Sequence, residues 1–254
     1  MTTLSSQGTQ LAHGTTAAIL ALTFTINYGM VLTHQVALLD HLWSLSVEEH
    51  AYMILAGLAL LTGRRSTSGA WLMAAMGTLA AVNAVVSREL LGQTLQQTHW
   101  RTDVAACGVF LSASLWLVFR HRKVWPWAGP ICAAIAVACK FADHEAVQFG
   151  LSNLALAVAI TTIDRAPKLF RSALSAGWLR RIGLYSFSMY LWQQPFYKMF
   201  RAGAAPAPIL LCGAAIYALL SFYLVENPSR RALNLLFDRW LKTRSPRLSS
   251  QGQT

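Results

Sequence analysis

Eight apolar runs set the limits on what this chain can fold into: Thr15–Leu32, Val47–Thr62, Ala70–Val86, Val104–Phe119, Val124–Cys139, Ala146–Ile163, Gly183–Phe200 and Pro208–Val225. Each is 16 to 18 residues long, a little short of the roughly 20 residues that carry a helix across hydrocarbon. Only 12% of the chain is charged, against about 25% in soluble domains, which makes lipid the solvent. The expectation is an all-α, polytopic membrane protein of about eight transmembrane helices. Val124–Cys139 is the weakest of them, since it contains Pro126 and Pro130. The first run lacks the basic leader and small-residue cleavage site of a signal peptide and reads as a span.

The remaining segments are short. Residues 1–14 carry no Lys or Arg and read as a disordered lead-in; 15–228 read as one membrane domain and 229–254 as a tail. Within the tail, Leu233, Leu236, Phe237, Trp240 and Leu241 recur at helical spacing, with Arg230, Asn234, Asp238 and Lys242 on the other face. That is the pattern of an amphipathic helix over Arg230–Lys242, lying on the membrane surface. Four cysteines (Cys107, Cys132, Cys139, Cys212) sit inside apolar runs with no CxxC pair, so neither a disulfide framework nor a metal site is expected.

The net charge is +11. The basic residues sit in short clusters between apolar runs, which belongs to membrane topology and not to nucleic-acid binding. With eight crossings, 16 of the 21 Lys and Arg residues fall on the side of the two termini and 5 on the other. By the positive-inside rule both termini are cytoplasmic. The stretches Asp40–His50 and Thr98–Asp103 and the end of the Gly183–Phe200 run then share the outer side.

Asp40-His41-Leu42-Trp43-Ser44-Leu45-Ser46-Val47-Glu48-Glu49-His50 is the most chemically loaded of these stretches. Charged groups at the mouth of a span are expensive and usually functional. Ser46 with Glu49 has the spacing of a capping box, which predicts a helix starting at Val47. On spacing alone, Glu48 and Glu49 are equally well explained as complements to the positive end of that helix.

His41 to His50 resembles the signature HxWSLSvEEQ of the membrane-bound acyltransferase family three, at nine of ten positions, with His50 where the family usually has Gln. These are integral-membrane enzymes that move acyl groups from acyl-CoA to hydroxyls. Three further stretches fit. Arg101, Asp103 and Gly108 are similar to an Arg-x-Asp before an apolar run; otherwise Trp100 and Arg101 are interfacial anchors and Thr102 or Asp103 a helix cap. Ser186 to Pro195 is similar to SYxxYLWHxP, with Gln193 or Gln194 in place of the family's His. Glutamine cannot take a proton at neutral pH, and an aromatic belt with a proline kink explains that stretch as well. Phe222 to Arg231 is similar to the family's closing motif, with Pro228 ending the helix.

The resemblance covers about residues 30–231 and lacks two initial family spans carrying an Arg and a His; His13 and His34 flank the first run outside that context. It implies an O-acyltransferase with acyl-CoA, acetyl-CoA in the first instance, as donor substrate and no bound cofactor or metal. The acceptor is a glycan or lipid-linked sugar, the location the inner membrane, and no nucleic acid is involved. His41, Glu48 and Glu49 are its acid–base candidates, Arg101 the charge stabiliser and Asp103 its orienting partner. Trp43, Ser44, Tyr190, Trp192, Gln193 and Gln194 are the substrate contacts. Poor turnover by this chain is expected on the missing front. A truncated, inactive relative and a small-molecule transporter are the alternatives, although a transporter would place its polar residues mid-span.

Overall fold

The computed structural model describes residues 14–33, 39–63, 67–142, 144 and 146–249, with side chains to residue 240. The lead-in before residue 14, His13, His34 and the basic pair Arg64 and Arg65 lie outside the described residues. The described chain is helical, with no strand among those residues, and divides into two compact units, 1–175 and 176–254.

The first unit opens with α1 (14–22) and α2 (Ile26–Thr33). The apolar run Thr15–Leu32 is therefore two short helices and not one continuous span. Its break is a Schellman closure: Thr25 N donates to Leu20 O (2.8 Å) and Phe24 N to Ala21 O (3.2 Å), with Phe24 left-handed at φ 53°. These bonds satisfy carbonyls at the helix end, and the Thr23 hydroxyl takes a further one, Ile19 O at 2.8 Å.

A 3₁₀ turn (Asp40–Leu42) leads into α3 (Trp43–Thr62). The helix thus begins four residues before the expected Val47, and the Ser46–Glu49 capping box does not form. Ser46 is already inside the helix, where its hydroxyl bonds back to Leu42 O at 3.4 Å. Asp40 starts the turn instead, its carboxylate accepting from His41 N at 2.8 Å.

α4 (Thr67–Glu89), α5 (Leu95–Trp100), α6 (Thr102–Ala105), α7 (Cys107–Phe119), α8 (Ala128–Cys139), a π turn (Ala146–Leu151), α9 (Ser152–Thr162) and α10 (Lys168–Leu174) complete the unit. Its buried residues are mostly small: Ala80, Ala84, Ala106, Ala157 and Cys107, with Val104, Phe110 and Leu111. Large apolar side chains point outward, Leu60 and Leu61 at 86% and 84% exposure. That inversion is the mark of helices packed by close backbone approach and solvated by lipid.

Gly77 on α4 shows how close the approach is. A Cβ there would stand 2.7 Å from Leu111 Cγ and 3.1 Å from the Leu111 backbone nitrogen. Ser114 Oγ crosses the same seam to Ala70 O at 2.8 Å. Gly77→Val is expected to destabilise the first unit by about 1–3 kcal/mol, the cost of overpacking. A thermal midpoint in detergent equal to that of the parent chain would contradict this packing.

The second unit is α11 (Gly177–Arg201), α12 (Ala207–Ser221), a π turn (Phe222–Glu226) and α13 (Asn227–Ser249). Pro228 does not end the helix. It sits in the first turn of α13, where proline's missing N–H is tolerated, and the wide turn before it absorbs the mismatch. Leu233, Leu236, Phe237 and Trp240 are exposed on α13, which contains the expected amphipathic segment.

Among the described residues, five helical stretches are long and apolar enough to cross a membrane: Asp40–Thr62, Thr67–Glu89, Thr102–Phe119, Ala146–Arg165 and Ala207–Trp240. Ala128–Cys139 is apolar but shorter.

Candidate functional site

The chemistry gathers around a break between α5 and α6. Thr94 starts α5 with a reciprocal cap: its hydroxyl accepts from Gln97 N (3.3 Å), and Gln97 Oε1 accepts from Thr94 N (2.8 Å). Thr-x-x-Gln is a readable capping box. Arg101 is extended (φ −80°, ψ 127°), so α5 stops and α6 restarts on the Arg101 carbonyl, which accepts from Val104 N and Ala105 N. No Thr102 or Asp103 side chain caps α6.

At this corner Arg101 and Asp103 form a two-point pair, Nε to Oδ1 at 3.1 Å and Nη2 to Oδ2 at 2.6 Å. Nη1 donates to Ser87 Oγ (3.1 Å) and Gln93 Oε1 (3.2 Å). Asn83 Nδ2 donates to Asp103 Oδ2 at 2.6 Å. Four of the five guanidinium protons are thus engaged inside the protein. The hydrogen bond to Asp103 raises the Arg101 pKa above its usual range. The pair acts first as a clasp between α4 and the α5–α6 corner, leaving one guanidinium proton for anything else.

Thr102, between them, faces the other way. Asn27 Nδ2 donates to Thr102 Oγ1 at 3.0 Å and to Trp100 O at 3.1 Å, and His50 Nδ1 lies 2.9 Å from the same Oγ1. Asn27 is fully buried. Here α2, α3 and α6 are tied through side chains alone. Beside this knot runs a groove of about 500 Å³ with Tyr28, Asn83, Thr102 and Asp103 on its polar wall, and Met76 and Phe110 among its apolar lining.

The other expected residues of the first unit separate. His41 is buried in the 3₁₀ turn, its Nδ1 3.9 Å from Asp40 Oδ1. Trp43 is half-buried and packs against the cluster of Val47, Ala51, Ala106 and Phe110. Ser44 is half-buried one residue on. Glu49 is half-buried, whereas Glu48 is exposed. At 100° per residue, Glu49 lies about 60° from buried Ser46, while Glu48 lies on the opposite side. Neither makes a hydrogen bond or ion pair among the described residues. His99 Nδ1 is 2.8 Å from Leu95 O; a carbonyl only accepts, so that nitrogen carries the proton and Nε2 the lone pair.

In the second unit, Gln193 and Gln194 line an apolar groove of about 480 Å³ with Phe196, Tyr197 and Leu210. The Trp192 ring packs 5.0 Å from Tyr217, and Tyr190 is half-buried on the same helix. Two motifs that the sequence leaves apart are joined here. Fully buried Ser188 donates to Glu226 Oε2 at 2.6 Å, and Arg230 Nη1 donates to Glu226 Oε1 at 3.3 Å. Glu226 thus ties α11 to the start of α13.

Among the described residues, no group of three His, Cys, Asp or Glu side chains is placed to hold a metal ion. Comparison with protein-family models, curated proteins and solved structures finds no match to this chain.

Proposed function

We infer that this chain is an integral-membrane O-acyltransferase of the inner membrane. It moves an acyl group, acetyl in the first instance, from acyl-CoA to a hydroxyl of a glycan or lipid-linked sugar. One contact supports the reading above the rest. The signature stretch ending at His50 meets the Arg101–Asp103 stretch through His50 Nδ1 and Thr102 Oγ1, 52 positions apart in sequence and 2.9 Å apart in space. Acyl transfer needs a base at the attacking hydroxyl and donors for the developing oxyanion. Glu49 is the base in this reading, and the Arg101–Asp103 clasp holds the corner on which the site is built. Purified chain, acetyl-CoA and a panel of glycan acceptors test it: slow but measurable acceptor-dependent release of CoA thiol is expected. Release that is absent with every hydroxyl acceptor, from a folded chain, would refute it.

The same reading keeps both termini in the cytoplasm on the 16-to-5 distribution of basic residues; its eight crossings add the broken α1–α2 pair, the shorter Ala128–Cys139 stretch and α11 to the five long ones. Gln96 is exposed beside the α5–α6 corner. A Gln96→Cys chain should react with a membrane-impermeant thiol reagent from outside intact cells, and a reporter after Thr254 should signal cytoplasm. The reverse pattern would put the signature stretch on the cytoplasmic side.

A further inference from the structure

The knot at Thr102 fixes which nitrogen of His50 carries the proton. Trp100 O can only accept, so the Asn27 atom 3.1 Å from it is Nδ2. That nitrogen gives its second proton to Thr102 Oγ1 at 3.0 Å. The Thr102 hydroxyl proton then has one acceptor within reach among the described residues, His50 Nδ1 at 2.9 Å. Thr102 is buried, and a buried hydroxyl left without an acceptor costs about 1–3 kcal/mol. His50 Nδ1 therefore accepts, and neutral His50 carries its proton on Nε2. His99 is the opposite case, its proton held on Nδ1 by Leu95 O.

Two more observations bear on what this arrangement does. His50 is half-buried, with the Tyr28 ring 6.0 Å away, and its Nε2 has no hydrogen-bond partner among the described residues. Asn27 Oδ1 is buried with no partner either. An apolar residue at position 27 would avoid that second cost. What asparagine supplies in exchange is the hold on Thr102, and through it on the histidine.

We propose that His50 serves as a neutral hydrogen-bond donor through Nε2–H, directed at the carbonyl oxygen of the acyl thioester, and not as the base. Thr102 and Asn27 are positioning residues that fix its tautomer. This rests on the acyltransferase reading above. In the step, the acceptor hydroxyl oxygen bonds to the acyl carbon and gives its proton to the Glu49 carboxylate. The carbonyl oxygen becomes an oxyanion held by His50 Nε2–H. The C–S bond then breaks, the carbonyl re-forms, and CoA leaves as the thiol with the proton from Glu49. His50 keeps its own proton throughout.

The test has two arms, both on the full chain in detergent. Nitrogen NMR of histidine-labelled protein, with His50→Gln to assign the signal, reads the tautomer whether or not transfer is detected. The proton is expected on Nε2, and Thr102→Val should release that preference. A proton on Nδ1 in the parent chain overturns the proposal. In the second arm, acetyl-CoA turnover should fall by ~10²-fold or more in His50→Ala, the scale of one lost oxyanion donor. His50→Gln keeps an N–H donor and should stay within ~10-fold of the parent, whereas a lost base would cost ~10²–10⁴-fold. Thr102→Val should lower turnover in the parent chain and change nothing further in His50→Gln, because glutamine has no tautomer to fix. Glutamine as inactive as alanine would make His50 the base and overturn the proposal. A folded parent chain without transfer would remove the reaction, and the thioester with it, leaving the nitrogen spectrum to decide the tautomer.

Discussion

Asp103→Leu is expected to lose transfer by ~10²-fold or more and to melt earlier than the parent chain. The carboxylate accepts two bonds from Arg101 and one from Asn83. Removing it strands a guanidinium at the mouth of a span and an amide on α4. The Arg101 side chain is 21% exposed and that of Asp103 47%, so water relieves part of the loss. A cost of about 1–3 kcal/mol is the scale for donors left unsatisfied. The effect on activity is the larger of the two. The α5–α6 corner holds Thr102 against His50, and a displacement of about 1 Å in such a corner is enough for a ~10²-fold loss. Asp103→Asn should fail nearly as badly, because its amide nitrogen faces donors. Arg101→Lys should also fail, since one ammonium cannot reproduce a two-point pair while holding Ser87 and Gln93. Thermal unfolding in detergent and acetyl-CoA turnover measure both effects; parent-like values for Asp103→Leu would show the clasp to be dispensable.

What the sequence reveals of this arrangement follows from what can be read locally. Arg101 and Asp103 are two positions apart, and their pairing is visible without the fold. The runs that become α4 and the α6–α7 stretch are continuous and apolar, and their length alone marks them. The break at Thr23–Thr25 is not legible, because Phe24 adopts a left-handed conformation that its side chain gives no reason to expect. Ser46 and Glu49 have capping-box spacing, but Asp40 starts the turn earlier, and local spacing cannot rank two competing starts. The partners of the clasp were out of reach for a different reason. Asn83 looks like an ordinary interruption of an apolar run, and Ser87 like the residue that ends it, until α4 is packed against the corner. Asn27 belongs with Thr102, and Ser188 with Glu226, 75 and 38 positions away. Polar residues inside apolar runs announced that something paired with them; only packing says what.

The two glutamates of the signature, indistinguishable by spacing, are expected to part under mutation. In α3 they occupy the second turn, Trp43 being the first residue. The field of a helix terminus fades within its first turn, so the dipole explains them less well than a start at Val47 suggested. Glu49 is half-buried on the side of the helix that carries His50, and no arginine, lysine or backbone donor among the described residues compensates it. Glu48 is exposed on the opposite side. Glu49→Gln keeps the shape and removes the ability to take a proton. It should lower acetyl-CoA turnover by ~10²-fold or more, within the range for a positioned acid–base group, and leave the thermal midpoint nearly unchanged. Glu48→Gln should stay within ~3-fold of the parent, as a solvated charge outside the reacting volume should. Equal, large losses in both variants would mean that α3 turns both carboxylates toward the substrate. Equal, parent-like turnover would remove Glu49 as the base and make His99, the histidine whose Nε2 holds a lone pair, the next residue to test in that role.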